Sequence, residues 1–84
     1  MENTQKYQCL CCGYRTLDEP ATGNYDICPV CFWEDDPIQA SDPDYKGGAN
    51  QVSLIQARSN YSVFGASDKD LLEHVRPPME HEKI

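Results

Sequence analysis

Basic residues are scarce in this chain: seven lysines and arginines stand against fourteen aspartates and glutamates, for a net charge of −7. None of the seven falls between Thr16 and Tyr45, a stretch that carries eight acids. Phosphate backbones are bound by clustered Lys and Arg that release counterions. The composition therefore argues against nucleic acid as a partner and for a basic protein attracted to an acidic surface. Long apolar runs are missing too. Nothing approaches the roughly 18–20 residues of a membrane-spanning helix, and Met1-Glu2-Asn3-Thr4-Gln5-Lys6 has no apolar stretch of the kind that directs export. The expected setting is the cytoplasm. Apolar residues amount to 39% of the sequence, below the share usual in soluble domains. A single domain of 84 residues gains little net stability from its core alone. Such a chain calls for a staple.

Cysteine is what the chain has in excess. Five cysteines in a reducing compartment read as metal ligands rather than disulfides, and an odd count fits a closed disulfide set badly. They fall as Cys9-Leu10-Cys11-Cys12-Gly13 and Cys28-Pro29-Val30-Cys31-Phe32, two C-x2-C pairs separated by fifteen residues. This is the spacing of a four-cysteine zinc site. Two intervening residues let one tight turn bring both sulfurs to about 2.3 Å from an ion. Gly13 and Pro29 suit such turns. Cys9, Cys12, Cys28 and Cys31 are thus the expected ligands of one Zn²⁺, in a closed sphere with no position left for a reacting water. Iron in the same geometry is the alternative metal, and with it rubredoxin-like electron transfer. A thiol-redox C-x-x-C is the other rival, but neither pair precedes a helical pattern. Cys11 is the extra sulfur: a bystander, or a redox thiol beside the site.

The rest of the chain sorts into zones. Residues 7–34 hold both cysteine pairs, with Tyr14 to Leu17 as a short strand and the turn formers from Asp18 to Gly23 joining the halves. Residues 35–51, with Pro37, Pro43, Gly47 and Gly48 among acids, predict an irregular loop. Within 53–76, Ser53 with Gln56 has the capping-box form, and Leu54, Ala57, Tyr61 and Phe64 recur at helical spacing. A helix from Leu54 to Val63, stopped by Gly65, follows. A second is expected from Asp68 to Val75, ended by Pro77-Pro78, and residues 77–84 read as a flexible tail. The expected architecture is a single domain over 1–84. It is a small metal-dependent α+β fold in which a rubredoxin-like zinc ribbon (two zinc knuckles and a short β-hairpin) is followed by an acidic loop and two short helices.

Other candidates are weaker. Glu34, Asp35 and Asp36 directly follow the second cysteine pair, and adjacent carboxylates rarely converge on one ion. They read as a solvated acidic edge that, with Asp42 and Asp44, offers a partner surface. Phe32 and Trp33 are expected in the core. Gly47-Gly48-Ala49-Asn50 lacks the Gly-Lys-Ser/Thr of a phosphate loop and reads as a close-packed turn. His74 and His81 are expected to be solvated. No nucleophile, base and phosphate-binding group come together, which points away from an enzyme.

Several blocks together resemble a known family. Tyr7 with Cys9 to Tyr14, Cys28 to Asp36, Gly47 to Asn50 and Asn60 to Ala66 are similar to the signature of the small bacterial cysteine-rich CPCC family. The resemblance spans Tyr7 to Glu80. Leu10 stands where that family has proline, and Tyr61 where it commonly has phenylalanine. The resemblance implies a zinc-binding, rubredoxin-like domain and implies no activity.

Overall fold

A computed structural model of the chain describes residues 6–83; Met1 to Gln5 and Ile84, the ends of the expected domain and tail, lie outside the described residues. The order is two short strands, β1 (Tyr7–Gln8) and β2 (Arg15–Leu17), two α-helices, α1 (Pro37–Ser41) and α2 (Leu54–Phe64), and two 3₁₀ helices, Lys69–His74 and Glu80–Glu82. The molecule is a small α+β domain. β1 pairs antiparallel with β2, with Tyr7 opposite Leu17 and Gln8 opposite Arg15 and an irregularity between them. The strand partner of Arg15–Leu17 is therefore the segment before the first cysteine pair. Around the second pair the same arrangement shrinks to one bridge, Ile27 to Glu34.

Helix α2 begins and ends where its sequence dictates. Ser53 caps it by accepting from the Gln56 N–H, and Gly65, at φ 84°, turns the chain out in the left-handed region, its N–H on the Tyr61 carbonyl. Leu54 and Ala57 bury one side of the helix against the sulfur cluster. The Arg58 Nε donates to the Leu10 carbonyl at 2.8 Å, tying the helix to the first knuckle.

Three expectations are corrected. The zone 35–51 is not wholly irregular, because Asp36 caps a five-residue helix by accepting from the Ile38 and Gln39 N–H groups, with Pro37 at its first position. The second expected helix is a 3₁₀ helix, Lys69–His74, in which Leu72 stays 45% exposed; too few apolar side chains face inward to hold a full α-helix. The C-terminal stretch is anchored. Arg76 Nη1 and Nη2 donate to both oxygens of Glu82 at 2.9 and 2.7 Å, and Glu82 is buried while also accepting from the Met79 N–H. The Arg76 N–H reaches the Pro29 carbonyl in the second knuckle.

One buried polar knot holds the loop between α1 and α2. Gln39 is 0% exposed. Its amide nitrogen donates to the carbonyls of Tyr45, Asn50 and Val52, and its oxygen accepts from the backbone and side-chain nitrogens of Asn50. Asn50 in turn brackets Glu34, accepting from its N–H and donating to its carbonyl. Residues 45–52 thereby close over the segment that leaves the second knuckle.

Candidate metal centre

The two cysteine pairs form equivalent knuckles. In the first, the Cys9 N–H donates to the Tyr14 carbonyl at 2.9 Å and the Gly13 N–H to the Cys9 carbonyl at 2.9 Å. In the second, Cys28 donates to Trp33 at 3.0 Å and Phe32 to Cys28 at 2.7 Å. Gly13 and Phe32 occupy the same left-handed position, at φ 83° and 65°. Glycine takes this conformation freely and phenylalanine does not. The second knuckle holds its conformation because the segment around it is fixed on both sides.

The knuckles face each other and bring four sulfurs together. Cys9 Sγ lies 3.6 Å from Cys31 Sγ, Cys12 Sγ 3.7 Å from Cys28 Sγ, and all four lie within 4.8 Å of one another. A tetrahedron with metal–sulfur bonds of about 2.3 Å has sulfurs about 3.8 Å apart. The cluster thus has the size for one tetrahedral ion. Cys9, Cys28 and Cys31 are buried and Cys12 is half-buried, so one ligand edge meets solvent. None of the five cysteines forms a disulfide.

Polar groups around the sulfurs favour thiolate. The Cys11 N–H approaches Cys9 Sγ at 3.4 Å, and the Thr16 hydroxyl lies 3.0 Å from Cys28 Sγ. Hydrogen bonding from Cys12, then from Cys31, holds the Cys28 thiol far below its ordinary value, and Cys9 is lowered chiefly by Cys12. Cys12 is pushed up, first by its contact with Cys28, and Cys31 by Cys11 first and then by Cys12. Four sulfurs crowded this closely are better satisfied by a cation than by protons. Tyr61 completes this side of the core, edge-on to Tyr14 at 6.3 Å, its hydroxyl pushed up to about 12 by burial and by the nearby Cys12.

The other anticipated residues divide. Cys11, weighed as a redox thiol, is buried, unlike the partly exposed cysteines that react. Asp35 and Asp36 correct the picture of a solvated edge, being 1% and 5% exposed. Asp35 Oδ2 accepts from the Gly23 and Asn24 N–H groups. Asp36 binds Ala49 besides capping α1, and the Ala49 bond, partly opposed by burial, holds its carboxyl below the ordinary value. Both turn inward because loop N–H groups need acceptors. Glu34 is half-buried, and Asp42 and Asp44 are exposed. Trp33 is core, as expected, while Phe32 is half-buried and stacks on His74 at 5.0 Å. Thr16, Gln39 and Asn50 were not anticipated; only Asn50 carried a sequence signal, as the end of the Gly-Gly-Ala-Asn turn.

No helix among the described residues is long and apolar enough to cross a membrane. No curated protein matches the sequence. The sequence profile of one family, described as Cysteine-rich CPCC, matches residues 7–82, which takes in both knuckles, the buried acids, α2 and the anchored C-terminal stretch. The chain belongs to the cysteine-rich CPCC family.

Proposed function

We propose that Cys9, Cys12, Cys28 and Cys31 hold one structural zinc ion in a rubredoxin-like ribbon, and that the domain so stabilised is a protein-binding module for a basic partner. The observation that supports this reading is the closure of the four-sulfur cluster. With four thiolates at tetrahedral spacing, zinc keeps no position for a substrate. The metal's contribution is then to folding, and function falls to the surface. That surface belongs to a chain of net charge −7, with Asp42 and Asp44 among its exposed acids. It suits inhibition of, or immunity-like binding to, a protein with a basic cleft, where opposite charge speeds encounter.

Elemental analysis with native mass spectrometry tests the first half: one zinc per chain is expected. A red iron form with reversible one-electron chemistry would overturn it in favour of electron transfer. Capture experiments from a lysate of the source cell, repeated across salt concentrations, test the second half. Recovery of a basic protein released by salt is the expected result. Recovery of no basic protein, or binding insensitive to salt, would overturn it.

A further inference from the structure

A pocket of about 230 Å³ opens beside the second knuckle, between Phe32 and Glu34, the turn ending at Val52, and the start of the 3₁₀ helix with Asp70 and Leu71. It is not part of the metal centre, and nothing in the architecture described so far uses it. Four features say what it takes. The volume lies below the roughly 300–1,000 Å³ of pockets that enclose whole small ligands, so it suits a single inserted side chain. Phe32, Val52 and Leu71 give it apolar walls, while Glu34, Asp68 and Asp70 line it with acids and no basic residue. None of these three acids forms an ion pair among the described residues. Ser67, also in the lining, is 1% exposed, and its hydroxyl has no partner among the described residues.

Phe32 supplies the fourth feature. It adopts the left-handed conformation at φ 65°, at a cost of about 1–2 kcal/mol for a residue with a side chain, where Gly13 serves in the first knuckle. Strain retained at one of two equivalent positions points to a use for the side chain it places. Here it places an aromatic ring in the pocket wall.

We infer that this pocket seats an arginine side chain of the basic partner. The inference rests on the protein-binding reading above and names the chemistry of its contact. The alkyl stem of arginine packs against apolar walls while its head stays polar. The planar guanidinium offers five donors in a fork that matches carboxylates. Glu34 and Asp70 supply the charge. Lysine, a compact and strongly hydrated point charge, uses this arrangement less well.

The test uses the zinc-loaded full chain, labelled with ¹⁵N, titrated at low salt with N-acetyl-Gly-Arg-Gly-amide and with the same peptide carrying citrulline, the neutral isostere. Saturable shifts of the Phe32, Ser67 and Leu71 amides with the arginine peptide are expected, and no comparable shifts with citrulline. The double variant Glu34→Gln with Asp70→Asn should bind about tenfold more weakly, the loss of a charge-assisted contact. Both carboxylates lack a structural partner, so the variant should keep the wild-type spectrum. Equal binding of citrulline, or unchanged affinity in the double variant, overturns the pocket assignment. Arginine-dependent shifts confined to the region of Asp42 and Asp44 overturn the pocket but leave the acidic-surface reading standing. No arginine-dependent shift anywhere overturns both.

Discussion

Removal of the proposed zinc is the perturbation whose size can be worked through most fully. The closest sulfurs lie 3.6 and 3.7 Å apart. Two bare thiolates at that separation repel by about 4–5 kcal/mol at the effective dielectric of a partly buried site, so the metal-free cluster must take up protons or open. Structural zinc contributes apparent binding energies of about 10–16 kcal/mol in small peptides. At roughly 0.05–0.15 kcal/mol per residue, a domain of 84 residues has about 4–13 kcal/mol in all. The metal term is as large as the total, so the metal-free chain should have no stable fold. Trp33, 1% exposed and two residues from Cys31, reports the outcome through its fluorescence. Chelation should shift its emission to the red and abolish the cooperative transition in calorimetry, and zinc should restore both. Cys28→Ala, which removes one of the four clustered sulfurs at a residue that is 0% exposed, should behave as the chelated protein does. Cys11→Ser should keep one metal per chain, since the four converging sulfurs do not include it. A cooperative transition that survives complete metal removal would refute the reasoning.

Three further predictions concern the polar framework. Gln39→Leu leaves three carbonyls and the Asn50 backbone N–H without partners, and should cost about 3 kcal/mol in denaturant unfolding of the zinc-loaded protein; a loss below about 1 kcal/mol would mean that water replaces the knot. Arg76 first, with the Met79 N–H, holds the Glu82 carboxyl down at about 2 from an ordinary 4.5. A folded value below the unfolded one adds stability above about pH 4.5 that disappears as pH falls toward 2. The stability gap between wild type and Glu82→Gln, measured by denaturant titration, should therefore be largest near neutrality and narrow below pH 4.5; a gap constant with pH would contradict the pairing. Gly13→Ala and Gly48→Ala should both destabilise, by different routes. At Gly13 (φ 83°) a Cβ meets nothing within 4 Å, so the penalty of about 1–2 kcal/mol is conformational alone. At Gly48 the Cβ would sit 2.7 Å from Asp36 Oδ2, and amide exchange should show the turn around Ala49 loosening only in that variant.

What could be read from the sequence followed the range of the interactions concerned. The four-cysteine cluster was legible because a two-residue spacing specifies a local turn, and a pair of such turns leaves few alternatives. Helix α2 was legible because its cap, its apolar spacing and its terminating glycine all lie within thirteen residues, Ser53 to Gly65. Residues 35–51 were misread because their order depends on partners far along the chain. Asp36 serves Ala49, Gln39 serves Asn50 and Val52, and Asn50 serves Glu34. A carboxylate looks the same in sequence whether it faces water or a set of loop N–H groups. The C-terminal stretch was misread for the same reason, since Arg76 and Glu82 meet only when the chain between them turns.

The inward turn of Asp35 and Asp36 also ties the cysteine cluster to the pocket beside it. The Trp33 carbonyl accepts from Cys28, the Asp35 N–H and carbonyl pair with Asp26 and Tyr25, and Asn50 grips Glu34 on both sides. Cys31, Glu34 and Asp35 are thus held by bonds to other segments, Cys31 through the Ser67 N–H, while Phe32 is held within the knuckle by its bond to Cys28. Opening the sulfur cluster would release Phe32 from its left-handed turn and with it the wall that faces Leu71. Zinc binding and arginine binding should then be linked, as any two ligands of one folded state are. Saturating arginine peptide should slow zinc transfer to a competing chelator without touching the metal. Transfer rates that are the same with arginine and citrulline peptides would show that the knuckle and the pocket move independently.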